Sequence, residues 1–144
     1  MSLFPAIDVA ATGVTTEQTW LDTIASNVAN VNDQSATNQP IYQEQEVLVQ
    51  PVETSPVTGV ADTTTTPVGS GVQVDAIVTP LPNGVLSYDP TSTLANAQGY
   101  VKTPGISLAQ QLGNLVNAQT SYQANVAVIN QAKTAYEAIL GIQA

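Results

Sequence analysis

The apolar residues of this chain fall into two long stripes, one towards each end. Near the start, Ile7, Val14, Leu21 and Val28 recur at seven-residue steps, and Leu3, Ala10, Glu17, Ile24 and Val31 fill the interleaved positions. That is the a/d pattern of a helix lying along a partner helix, interrupted only at Glu17. Near the end, Leu112, Gln119, Val126, Lys133 and Leu140 form one row and Leu108, Leu115, Tyr122, Ile129 and Tyr136 the other, so that eight of these ten positions are apolar or aromatic. Ser107 stands where it can cap the second helix, and Gly141 where a helix commonly ends. The polar residues Gln119 and Lys133 either specify register and partner or mark where the face turns to water.

Eight of the nine prolines lie between Pro40 and Pro104, so the ends can be long helices and the middle cannot. At about 1.5 Å per residue the two helices would run roughly 40 and 50 Å. That exceeds what a compact domain of this size needs, so they pack on each other or on other chains. Between them, Tyr42 to Val52 has strand-like composition, and Val72-Gln73-Val74-Asp75-Ala76-Ile77-Val78 alternates at period two as a half-buried strand does. Pro82-Asn83-Gly84 reads as a turn leading into a further short strand at Val85-Leu86. The Thr-rich stretch from Thr54 to Gly71 has too little apolar surface to pack and reads as a mobile loop. The pattern thus predicts an α+β chain in which two long terminal α-helices pair as a coiled-coil-like hairpin around a small β-rich middle insertion. The expected divisions are a helical arm over 1–32, a middle segment over 33–104 with the loop at about 54–71, and a second helical arm over 105–144.

Composition narrows the chemistry. Only 9% of the 144 residues are charged, and 11 acids against 2 lysines with no arginine give a net charge of −9. A groove that neutralises phosphates is excluded, and with it nucleic acid as a partner. The absence of histidine and cysteine removes Ser-His-Asp and Cys-His nucleophiles, zinc sites built on imidazole or thiolate, and disulfides. No run of about twenty apolar residues predicts membrane insertion, and the first residues do not read as a cleaved secretory signal.

Glu44 and Glu46 could face the same way on a strand, as a glycosidase pair would, but a solvated strand face explains them better and no substrate-binding aromatics cluster beside them. The aspartates Asp8, Asp22, Asp33, Asp62, Asp75 and Asp89 are too scattered for a calcium loop, and nothing marks Lys102 or Lys133 for Schiff-base chemistry. No catalytic residue, metal, cofactor or small-molecule substrate is expected.

Particular runs of residues then become informative. Ala25-Ser26-Asn27-Val28-Ala29-Asn30 resembles the signature near the N-terminus of flagellar basal-body rod proteins. Tyr88-Asp89-Pro90, then Gly99-Tyr100-Val101-Lys102 with Pro104, and finally Tyr122-Gln123-Ala124-Asn125, are similar to the C-terminal half of that family in order and spacing. The resemblance implies a structural, non-enzymatic subunit of the proximal rod. Its terminal helices would pair on assembly into an inner tube around the export channel, with the β-rich middle outside. It implies self and other rod proteins, the rod adaptor protein and the flagellar type III export apparatus as partners, and a place in the basal body within the periplasm, reached without a cleaved signal peptide.

The expected assembly interface is the apolar rows: Ile7, Val14, Leu21, Ile24, Val28 and Val31 on the first helix; Leu108, Leu112, Leu115, Gln119, Tyr122, Val126, Ile129, Lys133, Tyr136 and Leu140 on the second. The neutral amides Asn27, Asn30, Asn32, Asn114, Gln119, Asn125 and Asn130 are expected between subunits, where they bond without the desolvation cost of ions. The competing readings are a secreted helical-polymer or adhesin subunit of another export system, and a hydrolase using Glu44 and Glu46.

Overall fold

A computed structural model describes residues 4–52, 70–80 and 83–141. In chain order it contains α1 (Phe4–Ala29), β1 (Glu46–Pro51), β2 (Val72–Val78), β3 (Val85–Tyr88), β4 (Tyr100–Thr103) and α2 (Leu108–Gly141). The fold is the α+β arrangement that the pattern predicts. Most of the stretch expected as a loop at 54–71 lies outside the described residues, as do Leu81 and Pro82 of the predicted turn.

Pro5 is tolerated in α1 because the first-turn N–H groups have no helical acceptor. Ser107 caps α2: its Oγ accepts from the Gln110 N–H at 3.4 Å, and its carbonyl accepts from the Gln111 N–H at 3.0 Å. Five threonines lie along α1, a residue type that competes with helical bonding. Here Thr12, Thr15, Thr19 and Thr23 donate their hydroxyls back to the carbonyls of Val9, Ala11, Thr15 and Thr19.

The helices pair antiparallel. The Asn27 amide meets the Gln111 side chain at 3.3 Å, and fourteen residues away along each helix Gly13 lies against Asn125. Two contacts separated by two heptads on both helices fix one register, which sets Trp20 level with Ala118 and Pro5 level with Lys133. The same register sets Phe4 level with Thr134, so α2 continues through residues 135–141 past the first described residue of α1, about 10 Å at 1.5 Å per residue.

The middle segment holds two small antiparallel pairs, β1 with β2 and β3 with β4. The β1–β2 register skips Asp75 between the Leu48–Ala76 and Val49–Val74 pairs, a bulge. Strand β2 keeps its expected alternation, half-buried at Val72, Val74, Ala76 and Val78 and exposed between. Strand β1 begins only at Glu46, later than the composition from Tyr42 suggests, because the backbone of Gln45 is held by the Asn27 side chain instead of a neighbouring strand. Strand β4 falls in the stretch noted above only as a motif. A two-way backbone bridge between Ser35 and Lys102, at 3.0 and 2.9 Å, ties it to the segment leaving α1.

Candidate assembly surface

Within the hairpin, the residues most removed from solvent are not the apolar rows. On α1 they are Ala10, Gly13, Thr16, Thr23, Ile24 and Asn27; on α2 they are Gln111, Ala118 and Ala132. Apart from Ile24, every one is small or polar. The α2 set, with half-buried Asn125, is a seven-residue repeat shifted one position before the row Leu112, Gln119, Val126, Lys133 and Leu140. Gly13 makes the close approach possible, since a Cβ there would stand 2.6 Å from Asn125 Nδ2.

The seam ends in a polar hub. Asn27, 1% exposed, accepts on Oδ1 from the Tyr42 hydroxyl and the Gln45 N–H, both at 3.0 Å. Its Nδ2 donates to the Gln45 carbonyl at 2.8 Å and to Gln111 Oε1 at 3.3 Å. Gln111 Nε2 in turn donates to Glu44 Oε1 at 2.8 Å. One amide thus joins α1, the strap before β1 and α2, and no oxygen or nitrogen of Asn27 is left without a bond. Burial raises the Tyr42 pKa, with the Glu44 charge adding to it.

The outward side of α2 is the reverse. Leu108, Leu112, Val116 and Val128 are each at least 44% exposed, Val116 most at 61%, as are Tyr136, Ile139 and Leu140 on the part of α2 past the level of Phe4. The accessible surface of the chain is 9883 Å², against roughly 7000 Å² for a compact monomer of this mass. Of the expected interface residues, Leu108, Leu112, Gln119, Lys133, Tyr136 and Leu140 are exposed, while Leu115, Tyr122, Val126 and Ile129 are half-buried on the flanks of the seam. On α1, Ile24 is buried, and Ile7, Val14, Leu21, Val28 and Val31 are half-buried.

The remaining motif residues divide by role. Val101 and Pro104, in and just after β4, are both fully buried. Gly99 takes φ +81°, where a Cβ would meet Tyr88 Cε2 at 2.9 Å, and so lets Tyr88 and Tyr100 stack edge to face at 5.4 Å. Thr91 donates its hydroxyl and its N–H to Asp89 Oδ1, which lowers the Asp89 pKa. Tyr100, Ala25, Ser26, Ala29, Gln123 and Ala124 are exposed; Asn30 and Asn125 are half-buried. Of the amides expected between subunits, the structure corrects Asn27, whose bonds are all made inside its own chain. Asn30 likewise donates to its own helix, at the Ser26 carbonyl.

Glu17 does not fit either face. Its Oε2 is buried without a hydrogen-bond partner among the described residues, and desolvation raises its pKa above 4.5. It borders a groove of about 410 Å³ between the helices and the start of β2, with Val9, Gly13, Val72, Ala124 and Asn125 around it. Glu44 and Glu46 are divided: Glu44 is held by Gln111, and Glu46 is exposed at the head of β1. Among the described residues no cluster of acids could hold a metal, and no helix is long and apolar enough to cross a membrane.

The apolar rows expected at the assembly interface are not the intramolecular seam, which is built on Gly13, Gln111, Ala118 and Ala132, residues that no sequence pattern had singled out. The available signal was the one-residue-shifted repeat of small and polar side chains, which hydrophobicity alone passes over.

Comparison with known proteins agrees with this architecture at both ends. Residues 97–142 match the family model described as flagellar basal body rod FlgEFG protein C-terminal, and residues 7–32 match that of the flagella basal body rod protein. The chain is 30% identical over 149 residues to the flagellar basal-body rod protein FlgC of Borreliella burgdorferi, covering 99% of this chain and 98% of that one. It is 32% identical over 134 residues to the protein of the same name from Escherichia coli O157:H7, covering 93% and 92%. With that of Bacillus subtilis it shares 30% over 144 residues, covering 92% and 93%.

Proposed function

The chain belongs to the family of flagellar basal-body rod proteins and is a structural subunit of that rod; from this premise we propose that it joins the rod through the outward apolar rows of its two terminal helices. The observation that carries this reading is the inversion of the hairpin. Small and polar residues fill the contact between α1 and α2, while Leu108, Leu112 and Val116 stay exposed beside it, and Ile139 and Leu140 are exposed on the part of α2 that runs past the level of Phe4. A hairpin held this way gains little from apolar burial and is marginal by itself. Neighbouring subunits would supply the missing burial, and the arms would gain most of their stability on docking.

On this reading residues 1–32 and 105–144 are the two arms of the rod core, lining a tube around the export channel, and residues 33–104 form its outer part. The expected interface residues act here by packing, with no catalytic group. The rod adaptor and the flagellar type III export apparatus are the further partners, the second delivering an unfolded chain to the periplasmic segment of the basal body. A cysteine-free sequence suits that passage, because nothing can cross-link on the way. Deleting the gene should leave cells without complete basal bodies and unable to swim. Intact rods and normal swimming in the deletion strain would overturn the reading.

A further inference from the structure

Two residues break the apolar rows with opposite charges, Glu17 on α1 and Lys133 on α2. Glu17 is costly where it stands, and Lys133 would become so once its row is buried. Glu17 already has a buried oxygen with no donor among the described residues. Lys133 sits on the outward row, 71% exposed, with only Glu137 one turn on at 3.7 Å. Such an exposed pair is weak, and burying that row against a neighbour would strip the ammonium of water unless a carboxylate came with it.

Within one chain the two cannot meet. The helix register sets Lys133 level with Pro5, about 18 Å along the hairpin from Glu17 at 1.5 Å per residue. We propose that Lys133 of one copy enters the Glu17 groove of the next, the stripe Ile129, Lys133, Tyr136 and Leu140 docking against Val9, Val72 and Ala124. This rests on the reading of the chain as a self-associating rod subunit.

Three observations select a second copy as the occupant. The groove holds one carboxylate among Val9, Val72 and Ala124, with Ser121 and Asn125 at its side, and the stripe holds one cation among Ile129, Tyr136 and Leu140, so their charges are complementary. Each copy carries a net charge of −9, so contact between copies needs its few cations at the interface. The chain has only two lysines, and Lys102 already donates to the Gln39 carbonyl at 3.0 Å within its own fold. Groove and stripe are different surfaces, so each copy gives one and receives one, a head-to-tail contact that closes a ring or extends a helix.

The test is charge reversal in a strain lacking the native gene, read as swimming and as the amount of the chain in isolated basal bodies. Glu17→Lys alone and Lys133→Glu alone should each reduce incorporation by at least about tenfold. The double variant should recover most of it. A double variant as defective as either single one overturns the proposal, and a Glu17→Lys defect that Lys133→Glu does not relieve assigns the cation to another protein. Because the native chain has no cysteine, a Glu17→Cys/Lys133→Cys variant gives a second readout. Oxidised basal bodies should yield disulfide-linked dimers and longer multimers that neither single variant forms. Basal bodies that contain this variant without linked species also overturn it. Failure of the rod reading itself would look different: the wild-type chain would be absent from the basal bodies.

Discussion

The two sides of α2 invert the usual order of a protein. Towards its own α1 it turns Gln111, Ala118, Asn125 and Ala132; left exposed beside that contact are Leu108, Leu112 and Val116. A self-sufficient domain would bury the second set. The difference teaches that the contact made inside the chain serves to set geometry, through one register of amides and small residues, while on the proposed function the contacts that release apolar surface from water would be made with other subunits.

Perturbing either side tests that division, and the isolated chain followed by far-UV circular dichroism on heating separates them. The largest loss is expected for Asn27→Ala, which leaves the Gln45 backbone, the Tyr42 hydroxyl and Gln111 short of partners; about 2–4 kcal/mol should go, with helix content falling at room temperature. Gly13→Val comes next, since its side chain must displace the Asn125 amide; overpacking of this kind costs about 1–3 kcal/mol.

Glu17→Gln should act in the other direction. The folded chain holds the Glu17 proton more tightly than the unfolded chain, so the charged carboxylate destabilises the fold above its raised pKa, and that penalty is relieved as pH falls through it. The variant should therefore melt slightly higher than wild type at pH 7, and the two curves should coincide below pH 4.5, the ordinary value for the group. Equal melting temperatures at both pH values would show that Glu17 is well solvated.

The smallest effect on the isolated chain belongs to the outer face. Leu112→Asp should change its stability by no more than about 0.5 kcal/mol, yet remove the protein from basal bodies. If Leu112→Asp instead melts the hairpin, the division into an inner and an outer side is wrong.

These contrasts also explain what could be read from the sequence. The two helices were legible because Leu, Val and Ile at heptad spacing identify a helical stripe whatever it packs against. The same periodicity is blind to whose surface covers it, so the inward row, one residue before the conspicuous one, was hidden. Within the middle segment, β2 showed itself by its alternation at Val72, Val74, Ala76 and Val78. Strand β1 was misjudged by several residues because a distant side chain, Asn27, takes the backbone bonds of Gln45, a tertiary effect with no local trace. The resemblance carried by Ala25-Ser26-Asn27 pointed to the hub residue without revealing that its amide is consumed inside the fold. Glu17 was visible as an interruption of the stripe; that one of its oxygens is shut away from any donor required coordinates.

The unequal lengths of the two helices matter for mechanics. Within the described residues α2 runs on through 135–141 past the level of Phe4, and in a rod built as proposed this stretch would lie beside a neighbouring copy, overlapping it like a staggered brick. A shaft laid in that bond would have no transverse plane along which twisting could shear it without cutting through helices, and its load would pass down covalent backbone as well as across joints.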